Sequence, residues 1–190
     1  MTIAIIGWGS LIWDLDDLAP KVAGPWQMSA GPEFPLEFSR ISDKRKQALA
    51  VCIDPEHGTP CPTHCIASIR GTMREAMEDL AARERAPLAR IGFVTAAGAA
   101  SRLPAAVRIA RDWLADSRFD AAVWTDLEPV FEARTGVPFS VPEAKRYLRS
   151  LEGESLAEAH RYISEAPEGT RTPLRTALER DLWWRRLGTD

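Results

Sequence analysis

Several common classes of protein are excluded by what this 190-residue chain has little of. It has three cysteines, at 52, 61 and 65, an odd and clustered number that does not make a disulfide framework. The chain has no Cys-x-x-Cys and no His-x-x-x-His unit, and no metal or other cofactor is expected. His57 and His64 read as loop histidines, and the cysteines around them as small core residues. Positive charge is not in excess. With 24 basic and 27 acidic residues the net charge is -3, which leaves no electrostatic footprint for nucleic acid or an anionic membrane surface. No apolar run approaches the roughly 20 residues that span a bilayer, and Met1-Thr2 leads directly into an apolar stretch without the basic region of a secretory signal. These absences point to a cytoplasmic protein whose partners are small molecules or proteins. At 45% hydrophobic residues the chain can fill a sizeable core, and it is read as a single domain over 1–190.

The stretch with the most local information is Gly7-Trp8-Gly9-Ser10-Leu11-Ile12-Trp13, which follows the β-branched run Ile3-Ala4-Ile5-Ile6. Such a run predicts a buried strand that stops at a turn. The glycines permit positive φ and remove Cβ atoms, so successive backbone N–H groups can point into one cavity. Two readings stand: a tight turn, or a ligand loop. A dinucleotide fingerprint would need a third glycine at Ile12, a phosphate loop would need Gly-Lys-Ser/Thr, and Ser10 is not in a Gly-x-Ser-x-Gly elbow.

Further along, 14–18 is a candidate helical turn and 20–35, rich in Pro and Gly, reads as an irregular connection. Strands are predicted over 36–41, 47–53 and 65–69, the last two flanking a Pro-, Gly- and His-rich turn as a hairpin or meander. Thr72 and Glu75 have capping-box spacing, so a helix should start there and end before Pro87. On a wheel of 3.6 residues per turn, Met73, Ala76, Met77, Leu80 and Glu84 share one face, whereas Glu75, Glu78, Asp79, Arg83 and Arg85 lie outside it. Glu84 is thus the one carboxylate of this helix aimed with the apolar residues. Desolvation of such a group favours proton uptake, which suits a proton acceptor. A position at the wet rim of the core, satisfied by an arginine, is the alternative.

A strand over 90–95 follows, then a helix over 104–115 with Val107, Ala110, Trp113 and Leu114 inward, and a strand over 119–124. Thereafter the pattern is helical. Thr125/Glu128, Ser140/Glu143 and Ser155/Glu158 have capping-box spacing, Gly136 is placed to end the first of those helices, and Thr172-Pro173 opens a last helix that Gly188 closes. Trp183 and Trp184 are adjacent and cannot both occupy the centre of one buried face, so a second subunit, giving a homodimer, is one candidate neighbour and a crowded core the other.

Taken together, the loop and Arg83-Glu84-Arg85 resemble the gamma-glutamylcyclotransferase fold family, in particular its ChaC-like branch. That branch carries Gly-Tyr-Gly-Ser-Leu-Ile-Trp directly after its first strand, and Gly7, Gly9, Ser10, Leu11, Ile12 and Trp13 match it. Its catalytic glutamate follows a hairpin and a helix, the place Glu84 occupies here. The likeness covers roughly the first half of the chain, to about Val94. It implies an α+β fold, a mixed β-barrel with flanking helices, in which 1–95 is the β-rich core and 96–190 a mainly helical extension packed on it. It also implies cyclisation of a gamma-glutamyl group to 5-oxoproline with release of an amine, amino acid or peptide, without a cofactor. Glu84 is then the catalytic proton-transfer group, and Trp8, Gly9, Ser10 and Leu11 bind substrate. Trp8 stands where the family has tyrosine, so a phenolic hydroxyl is replaced by an indole that only donates. A binding domain of the same fold that has lost catalysis is the second function this resemblance allows.

Overall fold

The computed structural model describes residues 1–188. In chain order its strands are β1 (Ile3–Gly7), β2 (Val22–Gln27), β3 (Glu33–Ser42), β4 (Ala48–Ile53), β5 (Thr59–Pro62), β6 (His64–Ser68), β7 (Ile91–Thr95), β8 (Ala99–Ala100) and β9 (Ala121–Thr125). The helices are α1 (Met73–Glu84), α2 (Pro104–Ala115), α3 (Phe131–Thr135), α4 (Val141–Ser150), α5 (Gly153–Ser164), α6 (Pro173–Glu179) and α7 (Leu182–Arg186). The fold is mixed α+β with two open sheets. Neither closes into the expected barrel, because β3, β4 and β5 pair among themselves instead of extending the larger sheet round to its first edge.

The chain divides into two compact units, one of Met1–Phe34 with Pro62–Leu127, the other of Pro35–Cys61 with the residues from Glu128 onward. A boundary near residue 95 is not the division the fold draws, since β7 and β9, on either side of it, pair antiparallel in one sheet.

The first unit is built on a six-stranded sheet in the order β2-β6-β1-β9-β7-β8. β1 lies inside it, antiparallel to β6 and parallel to β9, and all five of its residues are buried, which is why it reads as a continuous apolar run. Ile3, Ile5, Ile66, Ile91, Ala121 and Val123 pack with Ala76, Leu80 and Ala81 of α1. Residues between them, such as Ile6, Cys65 and Trp124, face the other way by the two-residue alternation of a strand. α1 begins as expected: the Thr72 hydroxyl accepts from Glu75 N–H and donates to the Glu75 carboxylate.

The second unit has the sheet β4-β3-β5, with α5 packed on β4. Glu37, fully buried on β3, accepts from Phe38 N–H at 2.7 Å and from Leu174 N–H of α6 at 3.1 Å. Burial pushes its carboxyl up against the lowering effect of these donors.

Several expectations are corrected. The connection over 20–35 contains β2, whose register shifts between Ala23 and Gln27 and whose Gly24 has φ of 75°; this bulged edge strand carries the same Gly and Pro that mark loops. The strands at 47–53 and 65–69 do not pair with each other, for β4 joins β3 while β6 joins β1 and β2. Thr125 ends β9 rather than capping a helix, and α3 starts at Phe131. α5 is capped at Glu152, which puts Ser155 inside its first turn. The helix expected from Thr172-Pro173 to Gly188 is two: Asp181, in the middle of that span, caps α7 by accepting from Trp183 N–H at 3.0 Å. Along α2 the buried positions are Ala106 and Ala110, with Val107, Trp113 and Leu114 only half-buried.

Gly92 of β7 lies under the indole of the fully buried Trp124, and a Cβ there would collide with the ring. Gly92→Ala should therefore cost about 1–3 kcal/mol in denaturant unfolding. Gly71→Ala, where a Cβ meets nothing within 4 Å, is the control and should stay within about 0.5 kcal/mol of wild type.

Candidate functional site

The end of β1 runs into a 3-10 turn over Gly9–Ile12. Its glycines have different jobs. A Cβ on Gly7 would stand 2.5 Å from the Trp26 ring and 3.1 Å from Leu11, so this glycine makes room for an indole arriving from β2, not for a ligand. Gly9 has φ of 57°, the left-handed conformation that a side chain disfavours, and it turns the chain back over the sheet end. Gly9, Ser10 and Leu11 are all buried, and Leu11 joins the core beneath α1. The Ser10 carbonyl accepts from Asp14 N–H at 2.9 Å and from Trp13 N–H, which fixes the turn. N–H groups in the first turn of such a helix have no acceptor inside it.

Trp8 is extended and buried, edge-on to Phe34 at 5.8 Å, and Phe34 in turn lies 5.9 Å from Trp124. Trp124 stands on the sheet face away from α1, so the Trp8 ring belongs to that side while Leu11 belongs to the α1 side. The loop straddles the end of the sheet.

α1 delivers Glu84 to the same end. β6 runs antiparallel to β1, so the chain leaves it where β1 starts; α1 carries it back to where β7 opens beside Thr125, at the end where β1 stops. There the guanidinium of Arg83, 1% exposed, donates from Nη1 to Glu84 Oε1 at 2.9 Å and from Nη2 to the Asp14 carbonyl. The loop's last turn, a buried arginine and the Glu84 carboxylate thus form one bonded run. The Glu84 side chain is 15% exposed, at the core's rim in the final helical turn. A helix C-terminus disfavours an anion, and the Arg83 charge offsets this.

The helical wheel placed Asp79 and Arg83 outside the inward face, and both are buried. Asp79 accepts from Arg70 Nε at 2.6 Å and Nη2 at 3.2 Å, and lies 3.2 Å from Lys21 Nζ. Burial pushes its carboxyl up, but these two cations outweigh that and hold it below the ordinary range. Long side chains sweep sideways from the position their Cα occupies, which is how Arg83 reaches the loop from the edge of the apolar stripe.

One residue at this sheet end carried no such signal. His64 of β6 is the cross-strand partner of Gly7 and is 2% exposed. Its Nδ1 accepts from Ser29 N–H at 2.7 Å, so its proton is on Nε2 and the ring is neutral. Neither His64 Nε2 nor Nε1 of Trp26, the indole whose far edge covers Gly7, has a hydrogen-bond partner among the described residues. Only knowledge of the β1–β6 register would have placed His64 beside the loop. The cysteines are free and buried, and burial pushes the Cys65 thiol up, away from the thiolate a metal requires. Among the described residues no three His, Cys, Asp or Glu side chains stand together as metal ligands.

Compared with protein families, curated proteins and solved structures, the chain matches none.

Burial pushes the His64 pKa below its ordinary value of 6.5, so the unfolded chain takes up this proton before the folded one does. The stability held by the neutral ring is complete above that value and falls as the pH drops through it. His64→Asn keeps an acceptor near Nδ1 and removes the titration. Its unfolding free energy should fall less steeply than wild type between about pH 7 and pH 5, with His160, also pushed down by burial, supplying part of the slope that is left. Equal slopes in the two proteins would contradict this account.

Proposed function

We propose that the chain is a gamma-glutamylcyclotransferase-like enzyme that converts the gamma-glutamyl group of an amine, amino acid or peptide into 5-oxoproline, on a fold related to that family's. The observation that carries the reading is the Arg83 guanidinium, which bonds both the Asp14 carbonyl at the end of the loop and the Glu84 carboxylate. The two elements the chemistry requires are thereby held at one end of one sheet.

In this reaction the nucleophile is the substrate's own α-amine. It attacks the γ-carbonyl carbon, a C–N bond closes the five-membered ring, and the original C–N bond breaks with the electron pair leaving on nitrogen. Three things are needed: a folded glutamyl chain, a proton acceptor for the attacking amine, and donors for the oxyanion. Glu84 accepts the amine proton and returns it to the departing nitrogen. Its Oε1 is fixed by Arg83, so Oε2 is the oxygen that meets the substrate. Backbone N–H groups of Gly9, Ser10 and Leu11 hold the glutamyl moiety or the oxyanion. Trp8 serves from the opposite sheet face, where its packing on Phe34 sets the shape of the loop and hence the choice of substrate.

The test is release of 5-oxoproline from a panel of gamma-glutamyl amines and dipeptides, with glutathione among them. Wild type should turn over at least one member, and Glu84→Gln, an isosteric change at a partly exposed position, should lose about a hundredfold or more in kcat. If no panel member yields product, or if Glu84→Gln is fully active, the assignment fails. Substrate binding that survives in both proteins without turnover would identify a binding domain of this fold instead.

A further inference from the structure

The second unit carries a cavity of about 490 Å³ lined by Val141, Pro142, Lys145, Arg146, Arg149 and Ala177, where α4 and α6 pack together. None of these residues has a part in the proposed cyclisation, so the two readings are independent. A volume of this size is in the range of small-molecule sites, roughly 300–1,000 Å³. The walls are apolar: Val141, Pro142 and Ala177, together with the methylene stems of the three long cations. The charged heads are all of one sign, and no carboxylate is among the lining residues.

Two of those cations are held in place before any ligand arrives. Asp181, whose side chain is 8% exposed, lies 2.5 Å from Lys145 Nζ and accepts from Arg149 Nη2 at 2.9 and 3.0 Å. Arg149 is further fixed with its guanidinium 4.5 Å from the centre of the Trp183 ring. The hydrogen bond from Lys145, with that from Arg149, draws the Asp181 carboxyl down to about 2, so it stays ionised at any ordinary pH. One carboxylate therefore serves two cations and, among the described residues, leaves one positive charge without a paired counter-charge. Arg146 is ion-paired to Glu143 and turned to solvent. An apolar wall with a fixed single excess of positive charge at its edge complements a molecule that has a hydrocarbon part and one negative charge.

We infer that this cavity is a binding site for a small aliphatic carboxylate, its chain against Val141, Pro142 and Ala177 and its carboxylate against Lys145 and Arg149.

Isothermal titration of the full chain with octanoate, octylammonium and acetate separates the contributions. Octanoate should bind with one-site saturation. Octylammonium, with the same tail and the opposite charge, and acetate, with the charge and no tail, should each bind at least about fivefold more weakly. Two variants locate the site. Ala177→Trp fills the cavity from a half-buried position and should remove octanoate binding. Pro142→Glu lies at an exposed position in the first turn of α4, where a carboxylate suits the helix end; its charge offsets the single excess positive charge and should weaken octanoate binding and narrow its preference over octylammonium. Thermal melting checks that each variant is folded, and if Ala177→Trp is not, Pro142→Glu decides alone. No octanoate binding by wild type, equal affinity for octanoate and octylammonium, or unchanged binding in the folded variants would each overturn the proposal.

Discussion

Arg83 places a permanent positive charge where almost no water reaches, and the arrangement around the sheet end follows from how that charge is satisfied. An arginine cannot shed its proton, so its burial is tolerable only with acceptors in place. The Asp14 carbonyl and the Glu84 carboxylate supply them. Removing the Glu84 acceptor altogether would leave the buried guanidinium without its close counter-charge, which typically costs about 3–5 kcal/mol, whereas keeping both partners costs little beyond desolvation. The interaction therefore adds little to net stability but makes alternative placements of the loop expensive. It ties the segment after β1 to the last turn of α1, two elements about 70 residues apart in the chain.

Packing on the sheet serves the same end. Gly7 and Gly92 are both positions where a tryptophan ring occupies the space of a missing Cβ, Trp26 at the first and Trp124 at the second. They lie on opposite faces, Trp26 on the α1 side with the core there and Trp124 on the other, linked through Phe34 to Trp8. The loop is thus gripped from both sides by large rings with well-defined rotamers. Such rings order a backbone at low entropic cost, because each has only two rotatable bonds to fix. The role proposed for this loop, donating to an oxyanion, requires N–H groups that need not reorganise during the reaction, and this packing supports that requirement.

What could be read from the sequence was local, and what could not depended on pairing. β1 declared itself by an unbroken apolar run, α1 by the Thr72/Glu75 cap, α2 by its apolar period after Pro104, and α4 by Ser140/Glu143; these are signals within one turn or strand. β2 stayed hidden because its bulge carries Gly24 and Pro25. The grouping of β3, β4 and β5 into their own sheet depends on contacts that no window of sequence contains. The same limit governs the site. Glu84 and residues 9–11 are singled out separately, the first by a wheel and the second by composition, yet Arg83 falls on the wrong surface because a wheel records where a Cα sits and not where a long side chain ends. His64 was noticed only as a poor metal ligand, since its position beside Gly7 is a consequence of the β1–β6 register.

Buried charge recurs in the second unit in the opposite sense. Glu37 is a carboxylate with no exposed surface, and it is held by hydrogen bonds from Phe38 N–H on its own strand and Leu174 N–H on α6. It is used to join two elements, as Arg83 is, but its donors are neutral and burial raises its proton affinity. The contrast with Glu84 bears on chemistry. A carboxylate enclosed by backbone donors has both oxygens engaged and can only fasten, whereas Glu84 has one oxygen fixed by a cation and a side chain that is 15% exposed at the rim of the core. A general base needs that combination: an orientation set by one bond and a second oxygen left for the reacting proton. Of the carboxylates buried or half-buried in α1, Asp79 is occupied by Arg70 and Lys21 on both oxygens, which leaves Glu84 as the one with capacity to act.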